Sequence, residues 1–311
     1  MGKKEILVNL KRFEVSRSQG GVCDVDQPGE WLQSVIAEII RLELDHSEHY
    51  NMTVIVPDLL LPFAVEELSK PSVDVALKIG TQSCHREDVA LGGHFGAFTS
   101  LNIASSQANM GSSASLLGHC EERRELSYSM QKYAEVSGIP VQPELINRAV
   151  SEIVGERAVP ALAQSMRVII CVGESAEERG EGTFTEQKLR IEQVIRDKLV
   201  GGLSHIREQV TSDQLVIAYE PVWAIGPGKT PPDQQYIEYI AGFIKSVTME
   251  LLGFEASVVY GGGLKNENAS MLAGIENLDG GLIALTNFTP PIGFNVKELS
   301  RILTSYTEAL N

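Results

Sequence analysis

The stretch Val216-Ile-Ala-Tyr-Glu220-Pro221-Val-Trp223-Ala-Ile-Gly226-Pro227-Gly228-Lys229-Thr230 carries the strongest chemical signal in the chain. An apolar, β-branched run delivers one carboxylate, Glu220, and Pro221 then turns the chain into a glycine-punctuated loop ending in Lys-Thr. An acid at the root of a mobile, anion-friendly loop is placed for acid–base work on an anion. The plainer alternative is that Glu220 caps an ordinary strand-to-helix connection. Other strand ends favour a site. Asn9-Leu10-Lys11 closes the first apolar run, placing an amide and a cation two residues apart on the same side of an extended chain. Leu117-Gly118-His119-Cys120-Glu121-Glu122-Arg123-Arg124 closes the fourth.

The elements that must position these groups are legible as eight short β-rich runs: Glu5-Asn9, Thr53-Val56, Ala76-Gln82, Ser115-Gly118, Arg167-Val172, Gln214-Tyr219, Ala256-Gly261 and Gly281-Leu285. Stretches of helical period lie between most of them, clearest at Trp31-Leu44, Pro143-Gln164, Glu186-Leu199, Gln234-Leu252 and Val296-Leu310. Several runs are apolar on both faces, as parallel strands covered by helices must be. The alternation predicts an α/β fold, a (β/α)8 TIM barrel, with a doubly wound sheet as the lesser option. No low-complexity linker divides the chain, so residues 1–311 read as a single barrel domain with insertions after strands 1 and 3. Those insertions are the polar loops Arg12-Gly29 and Ser83-Ser113, the latter centred on Gly92-Gly93-His94-Phe95-Gly96-Ala97-Phe98-Thr99.

With 311 residues, 43% hydrophobic and 22% charged, the chain can bury a full core. Its net charge of -15 disfavours nucleic acid and anionic membranes as partners and requires a local positive site for any anionic substrate. Cys23, Cys84, Cys120 and Cys171 form no CxxC pair, the N-terminus has no apolar h-region, and no run of about 18 apolar residues suggests a membrane span. Reduced thiols and a cytoplasmic location are expected. Gly228-Lys229-Thr230 resembles the tail of a P-loop, but position 223, where the opening glycine belongs, is Trp223. His46 and His49 read as a solvated helix end rather than metal ligands. Cys171 reads as a buried inert thiol and Cys120 as a small packed residue rather than a nucleophile.

Ala218-Tyr-Glu-Pro-Val-Trp-Ala-Ile-Gly226, followed by Gly228-Lys229-Thr230, resembles the catalytic glutamate and closing lid of the triosephosphate isomerase family. Leu117-Gly-His119 with Glu121 and Arg123 is similar to the family's histidine segment, and Asn9-x-Lys11 to its first strand. Gly96-Ala-Phe-Thr99, Cys171-Val-Gly-Glu174 and Tyr260-Gly-Gly262 match its dimer loop, fifth and seventh strands. The resemblance covers the chain apart from the two excursions. It implies aldose–ketose isomerisation through an enediol, interconverting glyceraldehyde 3-phosphate and dihydroxyacetone phosphate without metal or cofactor. In that reading Glu220 is the base, His119 a neutral electrophile, and Lys11 the cation serving phosphate and oxyanion. Cys120 to Leu126 reads as a helix start, whose positive end disfavours imidazolium, provided Glu121 pairs with Arg123 or Lys11. Asn9, Lys11, Gly226, Gly262 and Gly263 would bind substrate, Pro221 and Lys229-Thr230 would bound the lid, and the Gly92-Thr99 loop would build a two-fold homodimer.

Departures from the family pattern cluster at the phosphate end. Ala284-Leu285, followed by Thr286-Asn287, stands where the family has a glycine pair, and Gly263 replaces a serine. Leu10 and Cys120 replace a tryptophan and a serine, Glu122 stands for an arginine, and Pro227 should stiffen the lid tip. A second reading is therefore an isomerase of another short sugar phosphate, for example a four-carbon ketose phosphate. A third is a non-catalytic binding protein on the same barrel.

Overall fold

A computed structural model of the chain describes residues 2–70, 74–226 and 228–310, so the expectation for Pro227 lies outside the described residues. Eight parallel strands close into a barrel in sequence order: β1 Lys4–Asn9, β2 Tyr50–Val56, β3 Lys78–Thr81, β4 Ala114–Leu117, β5 Arg167–Val172, β6 Leu215–Tyr219, β7 Ser257–Tyr260 and β8 Gly280–Ile283. β1 pairs with both β2 and β8, which abolishes the sheet edge. The closed barrel, rather than a doubly wound sheet, is the observed topology. The helices are α1 Pro28–Arg41, α2 Leu61–Leu68, α3 Ala104–Asn109, α4 Cys120–Ser137, α5 Pro143–Ala163, α6 Ala176–Arg179, α7 Phe184–Leu203, α8 Gln234–Leu252, α9 Ala269–Ala273 and α10 Val296–Glu308. Among the described residues, no helix is long and apolar enough to cross a membrane.

Alternation along the strands sorts the core into two clusters. Leu7, Ile55, Leu116, Ile169, Cys171, Val216, Ala218, Val259 and Leu282 pack together inside the barrel. Their neighbours, such as Val8, Ile170, Ile217 and Val258, face the helix layer. The period of two then carries Asn9 and Glu220 onto the interior face at the mouth, following Leu7 and Val216-Ala218. The longer helices other than α4 bury one apolar stripe, as with Val296, Leu299, Ile302, Leu303 and Tyr306 in α10, capped by Asn295, whose Oδ1 accepts from Lys297 N–H at 2.8 Å.

Several sequence expectations need correction. The Arg12-Gly29 segment is not all loop, because Pro28-Gly29 open α1 and Arg17–Gln19 form a 3-10 turn. Ser83-Ser113 contains α3. Lys11 does not share an extended face with Asn9: β1 ends at Asn9, and Lys11 turns into the left-handed region at φ 43. The helix before His46 was expected to run from Trp31 to Leu44, but it spans Pro28–Arg41; His46 Nε2 lies 2.8 Å from Asp74 O. Short α2 was missed, and only the start of α4 was legible, since Ala134 is the one residue α4 buries and there is no apolar stripe to read.

The first insertion packs on the chain after β8. Arg17 Nη1 donates to Ile292 O at 3.0 Å and Nη2 to Val22 O at 2.6 Å, while the Phe13 and Phe294 rings meet at 6.3 Å. Residues after β8 fold back through an Asn287–Gly293 bridge, and a Cβ at Gly293 would stand 2.6 Å from Val22 O. The insertion therefore straps the β8 loop, a placement its composition does not reveal.

Candidate active site

Glu220 is buried at the end of β6 with its two oxygens in different states. Oε2 accepts from the Cys120 backbone N–H at 3.0 Å, the first turn of α4. Oε1 has no hydrogen-bond partner among the described residues and lies 3.2 Å from His119 Nε2. Burial raises the Glu220 carboxyl above its ordinary range, opposed by His119, Lys11, the Cys120 N–H and Arg123. An ionisable group kept reluctant to ionise, with one lone-pair edge open, is suited to taking a proton.

A turn at Gly118 ends the alternation of β4 and brings His119 to the mouth as the N-cap of α4. Its Nδ1 accepts from the Glu121 N–H at 3.4 Å, so in a neutral ring the proton resides on Nε2, the nitrogen facing Glu220. Glu121 pairs with Lys11, Nζ to Oε1 at 2.7 Å. Burial works against Glu121 ionising, but the Lys11 ammonium holds its carboxyl below the usual range. Of the two partners expected for Glu121, Lys11 is the one it takes. Arg123 is instead half-buried against β4 and β5, with Nε donating to Gly118 O at 2.8 Å and Nη2 to Cys171 O at 2.9 Å.

Asn9 works through the backbone. Its Oδ1 accepts from Lys11 N–H at 3.0 Å and from Gln82 Nε2 at 3.2 Å, and Gln82 Nε2 also donates to Lys11 O at 2.7 Å. Gln82 was not singled out in the sequence; its position at the end of β3, beside Asn9 in the barrel, is the only signal. A cavity of ≈ 250 Å³ opens on this side, lined by Asn9, Lys11, Arg12, Gln82, Ser83 and His119. Glu122 also lines it and contacts Arg157 and Ser83.

Across the mouth, Glu174 is a second buried carboxylate that sequence reading did not single out as a site residue. It accepts from Trp223 Nε1 at 2.7 Å, Tyr236 OH at 2.8 Å and Tyr219 OH at 3.0 Å, and burial raises its carboxyl despite these donors. The Arg179 guanidinium lies 3.8 Å over the Trp223 ring. Trp223, at the root of the lid, is thereby clamped, whereas Gly226 has open space around it and no acceptor for its N–H among the described residues.

Gly263 has φ +99, a conformation that strains any side chain, so the serine of the family pattern would not fit this turn unaltered. Ala284-Leu285, expected at the end of the last strand, lies beyond β8, half-buried against the core. His119, Cys120 and Glu220 offer ligand atoms within 4.8 Å of one another. The positive end of α4 and the Lys11 ammonium make that spot favour an anion over a cation. Burial pushes the Cys120 thiol up to about 12, with Glu220 adding to the effect, and pushes Cys171 well up, so neither is a poised nucleophile.

The triosephosphate isomerase family model matches residues 29–291. The chain belongs to that family. It is similar to a triosephosphate isomerase from Chloroherpeton thalassium, 32% identical over 253 residues, 80% of this chain and 85% of the relative. Another from Chlorobium phaeobacteroides is 35% identical over 211 residues, 67% of this chain and 70% of the relative. The crystal structure of triosephosphate isomerase from Bartonella henselae superposes with a TM-score of 0.62 at 22% identity, covering 91% of this chain and 92% of that one, a likeness of fold. Family membership makes the departures at Gly263, Ala284-Leu285, Cys120 and Glu122 features of this chain set in a shared barrel.

Proposed function

We propose that this protein is an aldose–ketose isomerase that interconverts glyceraldehyde 3-phosphate and dihydroxyacetone phosphate through an enediolate. Glu220 Oε1 takes the proton from one carbon and returns it to its neighbour. His119 Nε2–H polarises the carbonyl oxygen, and Lys11 balances the charge that develops there. The carrying observation is the open Oε1 of buried Glu220, 3.2 Å from His119 Nε2. Gly226 at the lid and Gly262 and Gly263 at the end of β7 offer backbone N–H groups to phosphate. Lid closure over the intermediate would exclude water and suppress phosphate loss.

The direct test is a coupled assay with glyceraldehyde 3-phosphate; turnover no faster than the uncatalysed reaction would refute this substrate. The rebuilt stretch Ala284-Leu285 favours a second reading, an isomerase for another short sugar phosphate, such as a four-carbon ketose phosphate. Deuterium exchange at the α-carbon across a panel of sugar phosphates separates the two.

The raised Glu220 carboxyl sets the pH dependence. The base works only ionised, so kcat/KM should climb with pH through a midpoint above the ordinary glutamate value of about 4.3. An acid limb centred at or below that value would contradict Glu220 as the buried base.

A two-fold homodimer is proposed as well. Leu91 and Phe95, in the loop after β3, are 107% and 92% exposed, and the cavity beside Asn9 and Lys11 is open to receive such a loop. Sedimentation equilibrium should give twice the chain mass, and Phe95→Asp should weaken association; a wild-type monomer at micromolar concentration would rule the dimer out.

A further inference from the structure

The phosphate end departs from the family pattern where donors matter: Gly263 has no hydroxyl, and Ala284-Leu285 replaces a glycine pair. We infer that Lys265, in the turn after β7, supplies the missing donor and that its ammonium binds the anionic head group of the substrate. This rests on the phosphorylated-substrate reading above and adds a residue to it.

The turn that carries Lys265 adjoins the proposed base. A Cβ at Gly261 would lie 2.8 Å from Glu220 Cγ, and one at Gly262 3.0 Å from Pro221 Cγ, so the chain leaving β7 borders both Glu220 and the lid root. Asn268 holds the turn in shape. Its Oδ1 accepts from Lys265 N–H at 2.8 Å and its Nδ2 donates to Gly263 O at 3.0 Å. The N–H groups of Gly262 and Gly263 have no acceptor among the described residues. Two N–H groups without acceptors in one turn are donors available to an anion.

The side chain of Lys265 runs back along this turn. Its Cε lies 3.7 Å from where a Cβ at Gly263 would stand, so the lysine runs beside the space in which a serine side chain would begin. Its Nζ rests 4.1 Å from the centre of the Phe288 ring and pairs with no carboxylate among the described residues. Lys11, by contrast, is already bonded to Glu121. An aromatic platform orients an ammonium without cancelling its charge or consuming its strong donors, whereas a carboxylate would do both. Phe288 belongs to the folded-back segment after β8, which Arg17 of the first insertion straps through Ile292 O. The insertion, the rebuilt β8 loop and Lys265 thus form one assembly at the end of the site where the family pattern is broken. In a chain of net charge -15, an uncompensated ammonium there is the local positive field an anionic substrate needs.

The test compares Lys265→Met, Lys265→Gln and Lys265→Arg, each checked for native circular dichroism, in steady-state kinetics and in calorimetric titration with inorganic phosphate. Removing the charge with Met or Gln should raise KM for the sugar phosphate, and the Kd for inorganic phosphate, by about tenfold or more, while Arg restores most of both. Phe288→Leu should give a smaller rise in the same direction. Phosphate affinity unchanged within about twofold in both Met and Gln variants would overturn the inference even if the enzyme remains an active isomerase. If the wild-type chain turns over no sugar phosphate, the isomerase reading fails; loss of phosphate binding in Lys265→Met would still support the lysine site, and absence of phosphate binding by the wild type would overturn it.

Discussion

Glu220→Gln should lower kcat by a factor on the order of 10²–10⁴, because it removes the general base and leaves the carbonyl-polarising groups in place. Glutamine keeps the shape of the side chain and can still accept from the Cys120 N–H that now bonds Oε2. The fold should therefore survive. The sign of the pH linkage supports this. A carboxyl raised by burial favours the folded state fully only below its unfolded value, and that contribution is lost as pH rises through the higher folded value. At neutral pH the ionised Glu220 is thus a cost to stability, and a neutral glutamine should leave the melting temperature equal or higher. A variant that keeps most of its kcat would remove Glu220 from the mechanism, and one that loses activity by unfolding would show it in the same melting curve.

Gly173→Ala should damage stability and activity together. A Cβ at Gly173 would land 1.8 Å from Glu220 O and 2.6 Å from its carbonyl carbon, contacts that only a shift of the β6 end can relieve. Overpacking of backbone on backbone costs about 2–4 kcal/mol, read as a lower urea midpoint at constant m. The displaced atoms are those that aim Glu220, and a misplacement of about 1 Å costs on the order of 10²-fold in rate. Gly202→Ala is the matched control, since its new Cβ would meet nothing closer than Ile170 Cγ2 at 3.6 Å. If both variants unfold at the same denaturant concentration, the close approach of β5 and β6 at the mouth does not govern the site.

Much of the barrel was legible because its strands obey a local rule. Arg167–Val172 and Gln234–Leu252 appear where the periodicity puts them, since short doubly buried runs and a helix with one apolar stripe each write their burial into residue order. The rule fails where burial is one-sided or slight. α4 buries only Ala134, and α2 is eight residues entered through a proline, so neither leaves a readable stripe. Short-range pattern also misplaced Lys11, whose left-handed backbone gives its N–H to Asn9 Oδ1 and takes a bond on its carbonyl from Gln82, a residue from another strand end.

The site divides in the same way. Glu220, His119 and Lys11 could be singled out because each follows an apolar run, and a resemblance across the whole chain named their counterparts. Residue types and order, which are local, were enough for the family and for the reaction class it implies. Gln82, Glu174 and Lys265 could not be found that way, because each acts on a partner from another strand end: Gln82 on Asn9, Glu174 on Trp223, Lys265 on Phe288. Closing eight strands into a ring brings residues tens of positions apart into one mouth, and no local pattern encodes which of them meet. By itself the sequence determined a strand–helix alternation, a lidded acid and a missing glycine pair. Only the tertiary structure decided that Glu220 keeps one oxygen open toward His119, that Lys11 is occupied by Glu121, and that the Lys265 ammonium, paired with no carboxylate among the described residues, rests on Phe288 beside the turn where the serine was lost.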